Sequence, residues 1–221
     1  MELSLQNQLV LIPLFQGMSK NELTQVIGQT KLRFTKFAKG KTITQENDAC
    51  DQLMFLISGE IDMTTFADDH SYSVEEHFAA PYTLQTECFF GLRQRYTHTF
   101  TARTTCHFVS IDKNDVLKLT DDYIIFRMNL INLISPIAQK ALRTPWRFKG
   151  ASIRQQIIHF FKERCSKPAG HKTVRIKIAQ LAAELHESRL NVSQELNRMR
   201  SERLLNFSRG IIDIPCLENL K

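Results

Sequence analysis

Apolar positions along the chain change rhythm three times. Residues 1–30 read as short helices, with Pro13–Ser19 as a loop and Ser19 as the cap of a helix over 20–28. From Thr30 to Ile111 the rhythm shortens to alternation. Leu32, Phe34 and Phe37 suit a strand, Leu53–Ile57 is an apolar run closed by Ser58-Gly59, and Ile61, Met63 and Thr65 alternate with polar residues. Further strands are predicted over 74–78, 97–102 and 106–111, with turns at 38–40, 46–48 and 67–70. Short, regularly spaced strands separated by turn residues predict a sandwich, barrel or jelly roll.

After Asp112 the pattern becomes helical again. The longest helical stretch runs from Asp122 to Leu142, with Asp121-Asp122 as punctuation before it. Tyr123, Arg127, Leu130, Ile134 and Ile137 follow a 4-3 spacing, flanked by Ile124, Ile131 and Ala138. This seam predicts pairing with a second copy of the helix; packing on the β domain is the alternative. Pro136 removes one ladder hydrogen bond and is expected to break or kink the helix.

Thr144-Pro145 and Lys149-Gly150 punctuate the chain, and residues 151–165 are amphipathic, with Ile153, Ile157, Ile158 and Phe161 inward. Residues 167–172 read as a loop. A short helix over Ala179–Leu185, about three residues of turn, and a second helix capped by Ser188 give helix-turn-helix spacing. Val192, Leu196 and Met199 form the apolar stripe of that second helix. Leu204–Phe207 and Gly210–Ile214 then form a two-stranded wing around a turn at 208–210. The predicted class is α+β, in three segments: a β-roll sensor over 1–111, a linking helix over 112–144 and a winged helix-turn-helix over 145–221.

Charge sharpens this division. The net charge is +6, but residues 145–221 carry 15 Lys and Arg against 7 Asp and Glu, and residues 1–144 carry 14 against 16. The positive excess therefore lies wholly with the helix-turn-helix pattern, as expected of a reader of double-stranded DNA joined to a sensor. Arg189, Asn191 and Gln194 lie off the apolar stripe in the first turns of the second helix, where base edges are read. Ser188, Ser193 and Arg209, with Arg198, Arg200 and Arg203, are candidates for phosphate contact or positioning.

Cysteines stand at 50, 88, 106, 165 and 216, with no Cys-x-x-Cys pair and no zinc spacing. No apolar run suits a membrane span and the start does not read as a secretory leader, so a cytoplasmic protein with reduced thiols is expected. No glycine-rich phosphate loop, nucleophile elbow or His-Glu-x-x-His is present. Metal chemistry of the cupin type would draw on His70, His77, His98 and His107, which lack the expected His-x-His pairing. A haem or redox sensor would draw an axial ligand from Cys50, Cys88, Cys106, His77 or His98.

The order of elements, with Phe37–Ile43, Gln45-Glu46 and Leu53–Glu60 in the β region and Ser188-Arg-Leu-Asn-Val-Ser-Gln-Glu-Leu196 in the second helix, resembles the cyclic AMP receptor/fumarate-nitrate regulator (CRP/FNR) family of bacterial transcription factors. The resemblance covers nearly the whole chain. It implies a cyclic-nucleotide-binding-like β-roll, a homodimer on a pseudo-palindromic operator and, for an activator, contact with RNA polymerase. Arg189 matches the family arginine that grips guanine. Leu190 replaces a glutamate and offers only apolar contact, Gln194 stands where some members carry a second arginine, and His186 replaces the turn glycine. Lys177 stands in place of a Ser or Thr near the first helix's cap and could reach phosphate. In the sensor, Leu84, Gln85, Thr86, Thr97 and His98 occupy the effector-pocket positions. Gln85-Thr86 replace the family's Gly-Glu, and Thr97-His98 stand in the arginine region, so the resemblance implies a small-molecule effector other than cyclic AMP.

Overall fold

Ser19 accepts a hydrogen bond from the Glu22 amide, and Glu22 returns one to the Ser19 amide. This reciprocal cap starts helix α2 (Lys20–Gln29) after helix α1 (Leu5–Leu11) and a 3-10 turn at Pro13–Phe15. The computed structural model describes residues 5–144 and 152–221. The punctuation at Pro145 and Lys149-Gly150, and the predicted helix start at Ala151, lie outside the described residues.

The chain divides into two compact units, one of residues 1–62 and 78–143, the other of residues 63–77 and 144–221. In the first unit, strands β1 (Arg33–Phe37), β2 (Thr42–Thr44) and β3 (Gln52–Ser58) precede β4 (Glu60–Phe66). The hairpin β4–β5 (Ser73–Ala79) passes through the second unit, and the chain then returns as β6 (Tyr82–Thr83), β7 (Thr99–Ala102) and β8 (Cys106–Asp112). One antiparallel sheet has the order β1-β8-β3-β6, and β2 pairs with β7. Gly59 turns β3 into β4 at φ +100°, and a Cβ there would stand 2.5 Å from the Thr105 carbonyl oxygen. The jelly-roll expectation is met, with β2 and β6 as additions too short to show a period.

Phe15, Phe55, Phe89, Phe100, Phe108 and Phe126 are fully buried in this unit. Phe126 lies on helix α4 (Ile124–Arg143), which follows helix α3 (Lys113–Asp122) after a single extended residue, Tyr123. Its ring stands 5.3 Å from Phe15, and Asn129 Nδ2 donates to the carbonyls of Leu14 and Gln16. Pro136 does not break α4, which runs on through it to Arg143. Both Pro136 and Asn132, whose carbonyl the missing amide would have met, are exposed, so water can take the lost bond.

Burial also sets thiol chemistry here. It pushes the Cys50 thiol from 9.0 up to about 11, opposed in part by a hydrogen bond with Tyr96. Burial is likewise the main cause that raises Cys88 and Cys106. Because the folded value is raised, the stability tied to a neutral Cys50 is complete below about pH 9 and fades as pH rises toward about 11. We expect iodoacetamide at pH 8 to spare Cys50 in the native protein and to label it once urea unfolds the chain. Native labelling as fast as that of the unfolded protein would refute this, and peptide mass mapping reads the difference.

In the second unit, helix α5 (Ile153–Arg164) is started by a capping box between Ser152 and Gln155. Strand β9 (Lys172–Arg175), helices α6 (Ile178–Leu185) and α7 (Arg189–Ser201), and strands β10 (Asn206–Ser208) and β11 (Ile211–Ile214) follow. The wing forms as predicted, and β9 pairs with β11. Strand β9 begins where the sequence reads as a loop. Its four residues alternate too briefly to be seen alone, and pairing on both edges makes the strand. On its other edge lies β5, in register from Ser73↔Arg175 to Glu76↔Lys172.

Candidate nucleic-acid interface

The α6–turn–α7 element rests on the core of the second unit. Leu181 and Ala182 on α6, and Val192, Leu196 and Met199 on α7, pack with Ile157, Phe161, Leu205 and Ile212. At roughly 25 cal/mol per Å² of apolar surface, each fully buried aliphatic side chain adds on the order of 1.5–3 kcal/mol to holding α7 in place. The turn between the helices is made by His186, at φ 55° and ψ 39°, whose amide donates to the carbonyls of Ala182 and Ala183. A left-handed residue satisfies the last carbonyls of α6 as a glycine would, at some steric cost for histidine. Ser188 then caps α7, its hydroxyl accepting from the Asn191 amide at 3.1 Å.

With the apolar stripe buried, the opposite face of α7 is open. Arg189, Leu190, Asn191, Gln194 and Arg198 are exposed, Leu190 at 67%, while Ser193 is half-buried. Among the described residues Arg189 makes no ion pair. A cleft of about 510 Å³ runs between the start of α7 and the wing, lined by Lys177, Ala179, Arg189, Phe207, Arg209 and Ile211 among others. Lys177 is the N-cap residue of α6 but offers no side-chain cap, so its exposed ammonium is left to solvent. Arg209 sits at the wing turn with φ 48°. Three cations thus border one cleft at the positive ends of two helix dipoles, which favours an anionic occupant.

Other basic residues are already engaged. Arg198 pairs with Glu195 at 3.3 Å, and Arg154 reaches Glu195 at 3.7 Å and Glu202 at 2.5 Å. Glu195 is 9% exposed, yet in sequence it looks like a solvated residue beside the stripe. Only its neighbourhood with Arg154, across the helix pair, shows that it is structural. Arg200 donates to Asn197 and lies over the Phe207 ring at 4.9 Å, bracing the wing against α7. Arg203 is exposed in a left-handed conformation just past α7.

The five sensor positions do come together in the first unit. Leu84, Gln85 and Thr86 are buried; Thr97 is exposed and His98 half-buried. The Gln85 carbonyl oxygen accepts from the amides of Thr97 and His98 at 3.1 and 3.2 Å, while its Nε2 donates to Thr97 Oγ1 at 2.6 Å. The side chain thus takes up the very amides that could hold an anion. Arg93 and Arg95 are exposed, and Arg95 donates to the Asn47 carbonyl. A cyclic phosphate placed here would meet a neutral, fully bonded amide instead of a cation.

Of the haem and metal candidates, Cys50 and Cys88 lie close enough to interact, whereas the histidines His70, His77 and His107 stand in separate places. His107 is exposed and bonded to Ser58 Oγ, His70 lies at the tip of the β4–β5 hairpin, and His77 stacks on His171. The buried thiols of Cys50, Cys88 and Cys106 are held in their neutral form, which suits an anionic axial ligand poorly.

Residues 34–123 match the family model for the cyclic nucleotide-binding domain. The full chain has the fold of CRP/FNR-type regulators. A protein from Eubacterium rectale assigned to the CRP/FNR family of transcriptional regulators shares 17% identity, covering 95% of this chain and 96% of the other, with a TM-score of 0.51. The catabolite activator protein of Thermus thermophilus shares 17% over 91% and 93%, at 0.50. A CooA variant from Carboxydothermus hydrogenoformans shares 12% over 95% and 92%, at 0.51. No curated protein matches the chain by sequence. No helix among the described residues is long and apolar enough to cross a membrane.

Proposed function

We propose that this protein is a cytoplasmic, dimeric transcription regulator that binds duplex DNA and acts by binding rather than by catalysis. The observation that carries the reading is the open face of α7, where Arg189 stands exposed and, among the described residues, without an ion pair beside the Lys177–Arg209 cleft. Arg189, Asn191 and Gln194 read base edges, and Leu190 offers apolar contact to a thymine methyl. Lys177, Arg209 and the amides at the start of α7 hold phosphates, with Ser188 acting through its cap and Ser193 at the edge of the face. Arg198 contributes to phosphate contact less than its exposure suggests, because Glu195 holds it.

The dimer seam is proposed one residue along from the spacing seen in sequence. Leu130 is buried at 6% exposure next to Phe126, so it faces the core of its own unit. Tyr123 and Ile134 are half-buried, leaving only Arg127 and Ile137 of the original seam exposed. The open apolar stripe is Ile124, Met128, Ile131 and Leu142, continued by Ala138 and the half-buried Ser135. Its 4-3 spacing suits a second copy of α4.

The effector is taken to be a small molecule in the β-roll other than cyclic AMP, in view of the bonding of Gln85. Binding of genomic fragments by the purified protein tests the whole reading. Affinity is expected to fall log-linearly with salt, by roughly 0.9 decades per decade for each phosphate neutralised. Failure to bind any fragment at any ionic strength would refute it. In the same preparation, calorimetric titration with cyclic AMP is expected to give no saturable heat; a clear micromolar isotherm would return cyclic AMP to the site.

A further inference from the structure

Strands β4 and β5 each straddle the division between the two units: β4 begins in the first and ends in the second, and β5 does the reverse. The hairpin they form is built into the winged-helix unit. Val74 enters its core, and β5 pairs with β9 through four residues. At the inner end of that ladder, Glu76 and Lys172 are 1% and 2% exposed and their charged atoms are 2.7 Å apart. Glu76 also accepts from the amides of Ser166 and Lys167, at 2.6 and 3.0 Å, just past α5. Nearer the tip, the Tyr72 ring lies 5.5 Å from Phe160, and Arg164 Nε donates to the Tyr72 hydroxyl at 2.7 Å.

We propose that residues 63–77 are a strand latch: a hairpin docked on the edge of β9, pinned in register by the buried Glu76–Lys172 pair, that opens and closes as one piece while α5, α6, α7 and the wing stay folded. Three physical points support this. An apolar pair would hold a permanent core strand at least as well as an ion pair, since the charges lose their hydration on burial. Charged partners instead recover that hydration when the strand leaves, which makes the open state accessible. A slip of one residue would turn Glu76 outward and leave Lys172 buried alone, so the pair also fixes one docked register. Because β4 and β5 continue into the β-roll, a change in those strands acts directly on the latch, in addition to acting through the link at 143–144. A latch of this kind is a discrete two-state element that a sensor can bias.

Amide hydrogen exchange on the full chain tests this without DNA, so its outcome is separate from that of the DNA-binding reading. In Glu76→Gln, the amides bridging β5 and β9, with those of Ser166 and Lys167, are expected to exchange about a hundredfold faster. Those bridging β9 to β11, and those of α7, are expected to keep their protection. Unchanged exchange at β5–β9 would overturn the proposal. So would acceleration of the whole unit together, which would make the hairpin an ordinary core strand. Glu75 and Thr173 are directly opposed in the ladder. Adding Glu75→Cys and Thr173→Cys to the Glu76→Gln protein supplies the second arm. Oxidation is expected to form that cross-link, confirmed by peptide mapping, and to restore protection; reduction should release it. Failure of the bond to form, or protection that ignores it, would equally sink the latch.

Discussion

Arg189→Ala is expected to weaken specific DNA binding by about 1–3 kcal/mol and to make the protein indifferent at one base pair in each half-site. Arg189 is the first residue of α7, exposed and without an ion pair among the described residues, so little of its binding energy is spent inside the molecule. A guanidinium presents two parallel donors that match O6 and N7 of guanine, and alanine presents none. The loss should therefore be sequence-dependent. Removing Lys177 or Arg209 should weaken binding to all sequences alike and lower the salt slope by about one for each phosphate no longer neutralised. The α7 scaffold should survive the change, because its stripe of Val192, Leu196 and Met199 and the Ser188 cap do not involve Arg189. Titration of a panel of singly substituted operators at fixed salt provides the check. A uniform loss across the panel would reassign Arg189 to the backbone, and no loss at all would remove it from the interface.

Which parts of this architecture show in the sequence depends on how local their causes are. The helix-turn-helix is legible because its cap, its apolar stripe and its flanking turn fall within about two dozen consecutive residues. The β-roll strands are legible where alternation or an apolar run lasts five residues, as in β4 and β3. Strand β9 is not, because four residues with two charges look like a loop until β11 and β5 lie on either side. Glu76 shows the same limit in chemistry. Within its own strand it reads as a solvated carboxylate, and its burial depends on Lys172, 96 residues away. Glu195 is similar: its helix periodicity is ambiguous, and Arg154 decides it. For the sensor, the replaced residues at 85, 86, 97 and 98 are visible in sequence, but the hydrogen bonds with which Gln85 closes the site are not.

Helix α4 shows how a nonlocal contact argues against the seam that the sequence favours and for its flanking stripe, and it yields the second large expected effect. The helix carries two largely apolar 4-3 stripes one residue apart, the first interrupted by Arg127 and the second by Ser135. Packing of Phe126 against Phe15 turns that side of the helix inward and buries Leu130 of the first stripe. Neighbouring residues should therefore respond in opposite ways. Ile131→Glu places a charge on a side chain that is 49% exposed in the subunit, so the monomer should remain folded. A desolvated, like-charged pair at the centre of the seam should nevertheless abolish self-association. Since two linked half-site contacts gain about 10²–10⁴ over one, operator affinity should fall by that factor even though α7 is untouched. Leu130→Ala should do the reverse: about 2–5 kcal/mol of stability lost from the subunit, with self-association retained wherever the protein is folded. Sedimentation equilibrium and urea unfolding of the two variants side by side separate these outcomes. A dimer that survives Ile131→Glu while Leu130→Ala dissociates would put the seam back on the stripe of Tyr123, Leu130 and Ile137, and would require α4 to turn away from Phe15 when two copies meet.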